Sequence, residues 1–570
     1  MPNMLDLDAR FSQQPQADIS RSIIPRKSDV KTSFDFGKLI PIYLDEILPG
    51  QSSKMSLGSL VRMATPKYPV MDTAYMDFYA FFVPNRLVWD HWEEFMGENK
   101  DSAWVSDVQY SIPRFYMDGT MFSVGSLADY FGLPTNVLFH DDYFISQLPF
   151  RGYNLIWNEW FRDQNYENPI PLNTGDSSES LYMDIKSVNK MHDIFTSVLP
   201  EPQKGSSVSL TFNGGLAPVY ALPSNGVAPM NNAEFVQYGI DQFGISQSSP
   251  MQWLTNDNAT ESTKYVGVGG PYSVTGTSYK VNNAVVKSDT ELQGNTSVGN
   301  IYGINQLYAD LNYASISTIN QLRNAIVVQQ YLETLARGGS RYTEILRSLF
   351  GVLSPDARLQ RPELLGHIRL DINMQQVVQT SFNGGDELVT PLGSTGGMSK
   401  TTGYNFFFEK SFVEHGYLFI LACARTELSY QQGIDRHWRR KAVTDFYNPI
   451  FANIGNQPIT YDRIYASGAE NLDNEVFGYQ EAWAEYRYKP NKVCGVFRSD
   501  AYQSLDAWHY AEYFNSRPIM GADFLYQDKD TVARTLVVDQ NNQQLLCNFF
   551  FDEVATLPMP VYSIPGLDVL

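Results

Sequence analysis

Ala74-Tyr75-Met76-Asp77-Phe78-Tyr79-Ala80-Phe81-Phe82-Val83 is an aromatic run that continues without a break until Pro84. Its length and its content of aromatic residues predict a strand buried on both faces, or nearly so. Two distant stretches read the same way: Gly416-Tyr417-Leu418-Phe419-Ile420-Leu421-Ala422-Cys423-Ala424 and Leu545-Leu546-Cys547-Asn548-Phe549-Phe550-Phe551. Val493–Arg498 is a shorter candidate, and extended chain is expected to begin near Ser33. Strands drawn from both ends of a chain imply long-range pairing with insertions between them. No alternating βαβ pattern is present, so a doubly wound parallel sheet is not expected.

Two helices and a shorter helical turn are expected. Tyr153, Ile156, Trp157, Trp160 and Phe161 fall at helical spacing on one apolar stripe. A second helix should start at Thr318, with Gln321 as its capping-box partner, and stop at Gly338-Gly339; a short third should run from Tyr342 to Phe350. Pro2–Asp29 is polar with few periodic apolar positions and reads as an arm that gains order against something else. Residues 201–300 stand apart. Gly, Ser, Thr and Asn fill 42 of these 100 positions and charged residues only 11, with short apolar pieces such as Tyr265-Val266 and Ala284-Val285-Val286 between turn residues. That composition fits an exposed β-rich excursion.

The chain has 570 residues and a formal charge of −20, with 14% aromatic and 18% charged residues. A protein whose main task is to grip nucleic acid is usually basic, so any such role here is local or shared with a basic partner. High aromatic and low charged content suits a subunit with much of its surface in contact. Met1–Gln16 lacks a basic segment followed by an apolar core, so no signal peptide is expected, and no apolar run approaches the roughly 20 residues that span a bilayer. Cys423, Cys494 and Cys547 are odd in number and far apart, which gives neither a disulfide framework nor a metal spacing.

Catalytic patterns are mostly missing. No phosphate-cradling GxxxxGK[ST], no HExxH and no GxSxG occurs, and Gly267-Val268-Gly269-Gly270 runs into Pro271 instead of opening a helix. Neither a cofactor nor a metal site is expected. Asn158-Glu159 amid aromatics is the best enzymatic candidate, because glycoside hydrolysis needs a carboxyl at such a place. Its second carboxylate cannot be nominated, and Glu93-Glu94 and Asp141-Asp142 read as solvated acids. A secreted carbohydrate-active β protein, glycoside hydrolase or lectin, is therefore the alternative reading. The sequons at Asn258 and Asn295 fall in an Asn/Ser/Thr-rich tract and read as chance matches.

The sharpest charge anomaly is Arg436-His437-Trp438-Arg439-Arg440-Lys441. Cations that track phosphates beside an aromatic that stacks on bases would suit single-stranded nucleic acid. The competing reading pairs the same side chains with carboxylates at a subunit contact. Arg436, Trp438, Arg439, Arg440 and Lys441 are thus candidates for either role. Arg337, Arg341, Arg347, Arg358 and Arg361 form a looser series, expected in helix capping and ion pairs.

Five stretches, in order along nearly the whole chain, resemble the major capsid proteins of gokushoviruses, small single-stranded DNA phages of the Microviridae. They are Ser33–Pro41 (SFDFGKLIP), Tyr153–Asp163 (YNLIWNEWFRD), Ala336–Leu365 (ARGGSRYTEILRSLFGVLSPDARLQRPELL), Gly478–Tyr486 (GYQEAWAEY) and Val561–Leu567 (VYSIPGL). The resemblance implies an all-β fold, an eight-stranded antiparallel viral jelly roll with long loop insertions and a few helices. It implies an arm over 1–32, a capsid domain over 33–570 interrupted by a surface insertion at about 201–300, and a non-enzymatic role. It also implies assembly in the bacterial host cytoplasm into a T=1 shell around circular single-stranded DNA, with the insertion projecting at the threefold axes toward a host surface receptor. The partners so implied are further copies of the chain, a small basic DNA-binding phage protein, an internal scaffolding protein and the packaged DNA.

Overall fold

In the computed structural model, the side chains of the 74–84 run are buried on one or other of two faces, except Tyr75 and Tyr79, which are partly buried. The structure describes residues 20–98, 108–115, 119, 121–140, 143–177, 183–205, 219–222, 252–255, 266–269, 306–309, 319–337, 348, 360–380, 393–537 and 543–562. Eight long strands carry the fold: β1 (Ser22–Phe34), β2 (Ile40–Ile47), β3 (Ser52–Met63), β4 (Ala74–Pro84), β5 (Glu363–Asp371), β6 (Thr401–Ser411), β7 (Gly416–Thr426) and β8 (Leu545–Leu557). They form two four-stranded sheets, ordered β1-β8-β3-β6 and β2-β7-β4-β5, with every neighbour antiparallel. The fold is thus mainly antiparallel β with few helices. The pairings 1·8, 2·7, 3·6 and 4·5 are those of one long antiparallel hairpin whose two arms run side by side.

The two aromatic runs pair with each other along their whole length, from Gly416 opposite Pro84 to Thr426 opposite Ala74. Side chains alternate across a strand. Met76, Phe78, Ala80 and Phe82 of β4, with Leu418, Ile420, Ala422 and Ala424 of β7, face the core between the sheets. Phe81 and Val83, with Phe419, Leu421 and Cys423, face a second core beneath helix α1 (Leu148–Ile156), which contributes Tyr153 and Ile156. Two buried faces explain the unbroken apolar run. The α1 backbone comes so close that a Cβ on Gly152 would lie 2.8 Å from Phe419. The Tyr153 hydroxyl donates to the Leu39 carbonyl at 2.8 Å.

Several expectations change. β1 begins at Ser22 rather than near Ser33, so residues 22–32 of the expected arm belong to a strand paired with β8 over all 13 of its residues. β8 is buried on one face only: Phe549 and Phe551 point inward, while Leu546, Phe550 and Val554 are exposed. Its apolar outer positions concealed the alternation. Val493–Arg498 holds no strand; Asn491–Lys492 makes a two-residue parallel pairing and Gly495–Phe497 a 3-10 turn. α1 starts before Tyr153 and continues as one π-helical turn, Trp157–Phe161, which leaves Trp160 exposed on the expected apolar stripe.

An ion cluster ties β1 to both sheets. Arg26 lies 2.6 Å from both Asp45 of β2 and Glu553 of β8, and the Tyr43 hydroxyl donates to Glu553 at 3.0 Å. Burial pushes the Asp45 carboxyl up; Arg26 opposes this and Glu553 adds to it.

The chain divides into two compact units, Met1–Lys204 with Leu335–Leu570, and Gly205–Thr334. In the second, Val219–Leu222 pairs with Gln306–Ala309 and Gln252–Thr255 with Val266–Gly269, both antiparallel. The break at Gly205 falls close to the composition change at 201. Helix α2, Ile319–Arg337, begins at the expected place. Thr318, the Gln321 side chain, Gly338-Gly339, nearly all of Tyr342–Phe350, both sequons and Ala284–Val286 lie outside the described residues.

Candidate assembly and nucleic-acid interface

The cationic stretch opens a chain of three single 3-10 turns, Arg436–Trp438, Val443–Asp445 and Pro449–Phe451. Short polar side chains hold the second and third turns. The Asp445 carboxylate accepts from the backbone N–H of Lys441 and Ala442, at 2.9 and 2.8 Å, and Asn448 accepts from that of Ile450 at 3.0 Å. The two bonds to Asp445, that from Ala442 the larger, hold its carboxyl below the usual range. A small core of Ile459, Tyr461, Ile464 and Phe477 lies in the chain that follows.

Each cation of the stretch meets a carboxylate of the same chain. Arg436 and Arg440 lie 3.6 and 3.3 Å from Glu485, Arg439 lies 3.1 Å from Asp462, and Lys441 lies 2.9 Å from Glu470. Arg439 also donates to Asn474 at 2.6 Å. The Lys441 hydrogen bond holds the Glu470 carboxyl below its ordinary value. Arg440 sits between the rings of Phe446 and Tyr486, 5.2 and 4.7 Å from their centroids. The four cations, Asp462, Glu470 and Asn474 line an open cavity of about 300 Å³ with Arg463, whose guanidinium is pushed down by burial against the opposing charges of Glu485 and Asp462. Trp438 stands apart at 76% exposure.

The sequence brought out the cations and missed their partners. Glu485 lies in the Gly478–Tyr486 stretch, next to Ala484 and Trp483, and Trp483 is held buried at a left-handed φ of 64°. A tryptophan in that conformation is strained and persists only where its surroundings fix it. Its indole N–H donates to the Phe451 carbonyl at 2.9 Å, which pins the third 3-10 turn.

The sequence also missed Asp77, the one charge in the decisive run. It is fully buried and accepts from Arg369 at 2.6 and 3.1 Å, from Arg425 at 2.5 Å, and pairs with His367 at 3.0 Å. Burial alone would raise its carboxyl, but the Arg369 and Arg425 interactions outweigh it and hold the group below the usual range. The enzymatic candidate does not assemble. The Asn158 side chain is closed on the Ile170 backbone, accepting from its N–H and donating to its carbonyl. Trp160 donates to the Pro362 carbonyl and carries Arg361 over its ring. Arg337 donates to Asn456; Arg341, Arg347 and Arg358 lie outside the described residues. Among the described residues no group of three or more His, Cys, Asp and Glu could hold a metal ion, and no helix is long and apolar enough to cross a membrane.

Two antiparallel sheets closed over an aromatic core, with the cations of 436–441 paired to the chain's own carboxylates, define a mainly antiparallel β protein. The family model described as capsid protein (F protein) matches residues 12–567, and the chain belongs to that family of phage capsid proteins. It is 38% identical to capsid protein VP1 of Chlamydia phage 1, with 98% of this chain and 97% of that protein covered. It is 39% identical to capsid protein VP1 of Bdellovibrio phage phiMH2K (98% and 97% covered) and 37% identical to that of Spiroplasma virus 4 (99% of each). The chain is thus a phage major capsid protein, a component of the virion and not an enzyme.

Proposed function

We propose that this capsid protein folds as an eight-stranded viral jelly roll and assembles as a T=1 shell around circular single-stranded DNA. The observation that carries the reading is the set of pairings 1·8, 2·7, 3·6 and 4·5 split over two facing sheets. A hairpin wound in this way gives the eight-strand double sheet of capsid jelly rolls. The segment ahead of β1 serves as the arm, and residues 201–300 form the surface insertion that projects at the threefold axes toward a host receptor. A charge of −20 on every copy supports a small basic phage protein as the main neutraliser of packaged DNA. An internal scaffolding protein assists assembly in the host cytoplasm.

For Arg436, Trp438, Arg439, Arg440 and Lys441, the in-chain carboxylates weigh against a direct grip of DNA, and a subunit contact here would use the neutralised surface rather than new ion pairs. Phosphates would have to displace Glu485, Asp462 and Glu470 from cations that they already neutralise. Cryo-electron microscopy of purified particles, with nuclease typing of the extracted genome, tests the whole. The expected result is a T=1 lattice, a wound eight-strand barrel and exonuclease-resistant single-stranded DNA. A larger lattice or a duplex genome overturns the proposal.

A further inference from the structure

The cationic stretch is followed by Val443-Thr444-Asp445-Phe446-Tyr447-Asn448-Pro449-Ile450-Phe451-Ala452-Asn453-Ile454, in which Asp445 is the only charged residue and no cation occurs. In the single chain Val443 is 87% and Ile450 85% exposed, and Phe446, Tyr447 and Ile454 are about half exposed. Isolated apolar side chains on a surface are ordinary, but a contiguous exposed set marks a contact. These residues are linked: Tyr447 packs on Trp483 at 5.6 Å and lies 6.2 Å from Tyr486, and Arg440 bridges Phe446 to Tyr486. The loop is held in shape by the Asp445 and Asn448 caps and by the Trp483 indole. Its one carboxylate is engaged by backbone N–H groups.

We infer that the 443–454 loop is an assembly surface whose partner is a second copy of this chain. Three observations choose that partner. The loop offers no cation to a phosphate, and the cations beside it are already paired, so nucleic acid has little to bind. Each copy carries −20, so two copies repel least where the surface is locally neutral. Here Arg436, Arg439, Arg440, Lys441 and Arg463 stand against Asp445, Asp462, Glu470 and Glu485, five cations to four carboxylates, and supply a nearly neutral zone beside a charge-poor loop on a chain that is otherwise strongly acidic. An apolar, charge-poor centre within a polar rim is the anatomy of a protein–protein contact, and a loop ordered in advance loses little entropy on docking. The inference rests on the self-assembly that capsid membership entails.

The test is the full-length Val443→Asp/Ile450→Asp variant beside wild type, read by sedimentation velocity and electron microscopy, with the thermal midpoint of the free subunit as a folding control. The surface predicts at least a tenfold loss of particles with the midpoint within a few degrees of wild type. Wild-type particle yield from the variant overturns the proposed surface alone. A wild-type chain that never assembles overturns it together with the self-assembly on which it rests. Hydrogen exchange gives a second reading that needs no variant: amides of 443–454 should be protected in particles relative to free subunits. Equal exchange in the two states, or protection by single-stranded DNA without assembly, overturns the proposal.

Discussion

Asp77 of β4 and Arg425 of β7 stand 348 positions apart in the chain, and their side chains meet at 2.5 Å across the pairing that joins the two aromatic runs. The carboxylate has no exposure and receives a second arginine, Arg369 from β5. One acid therefore ties three adjacent strands together on the face turned toward the helical layer.

Asp77→Asn should be among the most damaging single substitutions in the sheets. Breaking a buried ion pair by removing one partner leaves two guanidinium groups without their carboxylate and costs about 3 kcal/mol or more. Urea unfolding of the free subunit checks this; a loss below about 0.5 kcal/mol, the size usual for surface changes, would refute it.

The pH dependence follows from the direction of the Asp77 shift. Its folded carboxyl is held below the unfolded value of about 3.9, so the unfolded state takes up the proton first. The stabilisation is complete above about pH 4 and is lost as pH falls through the lower folded value. Asp45 is shifted upward and carries the opposite sign, so the useful reading is the difference between wild type and Arg369→Gln. That difference should be constant near neutrality and shrink below about pH 4.

Gly37 has a φ of +75°, and a Cβ there would lie 2.7 Å from the Gln527 carbonyl. Its own N–H and carbonyl are used by Ala424 and Val188. Gly37→Ala should destabilise the subunit by about 2 kcal/mol, through left-handed strain and this close approach. The thermal midpoint should fall by several degrees, and an unchanged midpoint would contradict the account.

Burial pushes the thiols of Cys423 and Cys547 up to about 12, whereas Cys494 is exposed. Nucleophilic thiolate is therefore scarce at the two buried sites. Native subunits should release one equivalent of chromophore rapidly from a thiol reagent at neutral pH and three after denaturation, and Cys494→Ser should abolish the fast phase.

Lys441→Gln breaks a pair in which both side chains are largely exposed, so its effect on stability should stay within about 1 kcal/mol. Arg439→Gln leaves Asp462, 5% exposed, with the Thr460 hydroxyl but without its guanidinium, and should cost about 1–3 kcal/mol. Neither should alter the nucleic-acid content of particles, read as the ratio of absorbance at 260 and 280 nm. A reduced content in both would return the cluster to DNA binding.

Much of this molecule was legible in the residues. The aromatic runs at 74 and 416 are strands because both their faces are buried, and burial on two faces leaves an unbroken apolar signature. β1 was less legible. Ser-Ile-Ile-Pro-Arg-Lys-Ser-Asp-Val-Lys-Thr-Ser-Phe alternates on an edge strand with polar and charged outer positions, so it read as arm. At β8 the reverse held, since apolar residues occupy its solvent side in the single chain and hid the period of two. At the candidate interface, six consecutive residues exposed the cations, but Asp462, Glu470 and Glu485 are scattered over the following stretch and carry no local signal.

The sequence by itself determined the strands at 74, 416 and 545 and the helix that begins at 319, because periodicity and composition act over a few residues at a time, while five motif stretches carried the resemblance to the capsid family. Only the tertiary structure decided which strand lies beside which, that Asp77 is fully neutralised, and that the cations of 436–441 are spent within the chain. Those outcomes depend on groups hundreds of positions apart meeting at a few ångströms. Partner choice there is fixed by burial and charge in three dimensions, which no local pattern records.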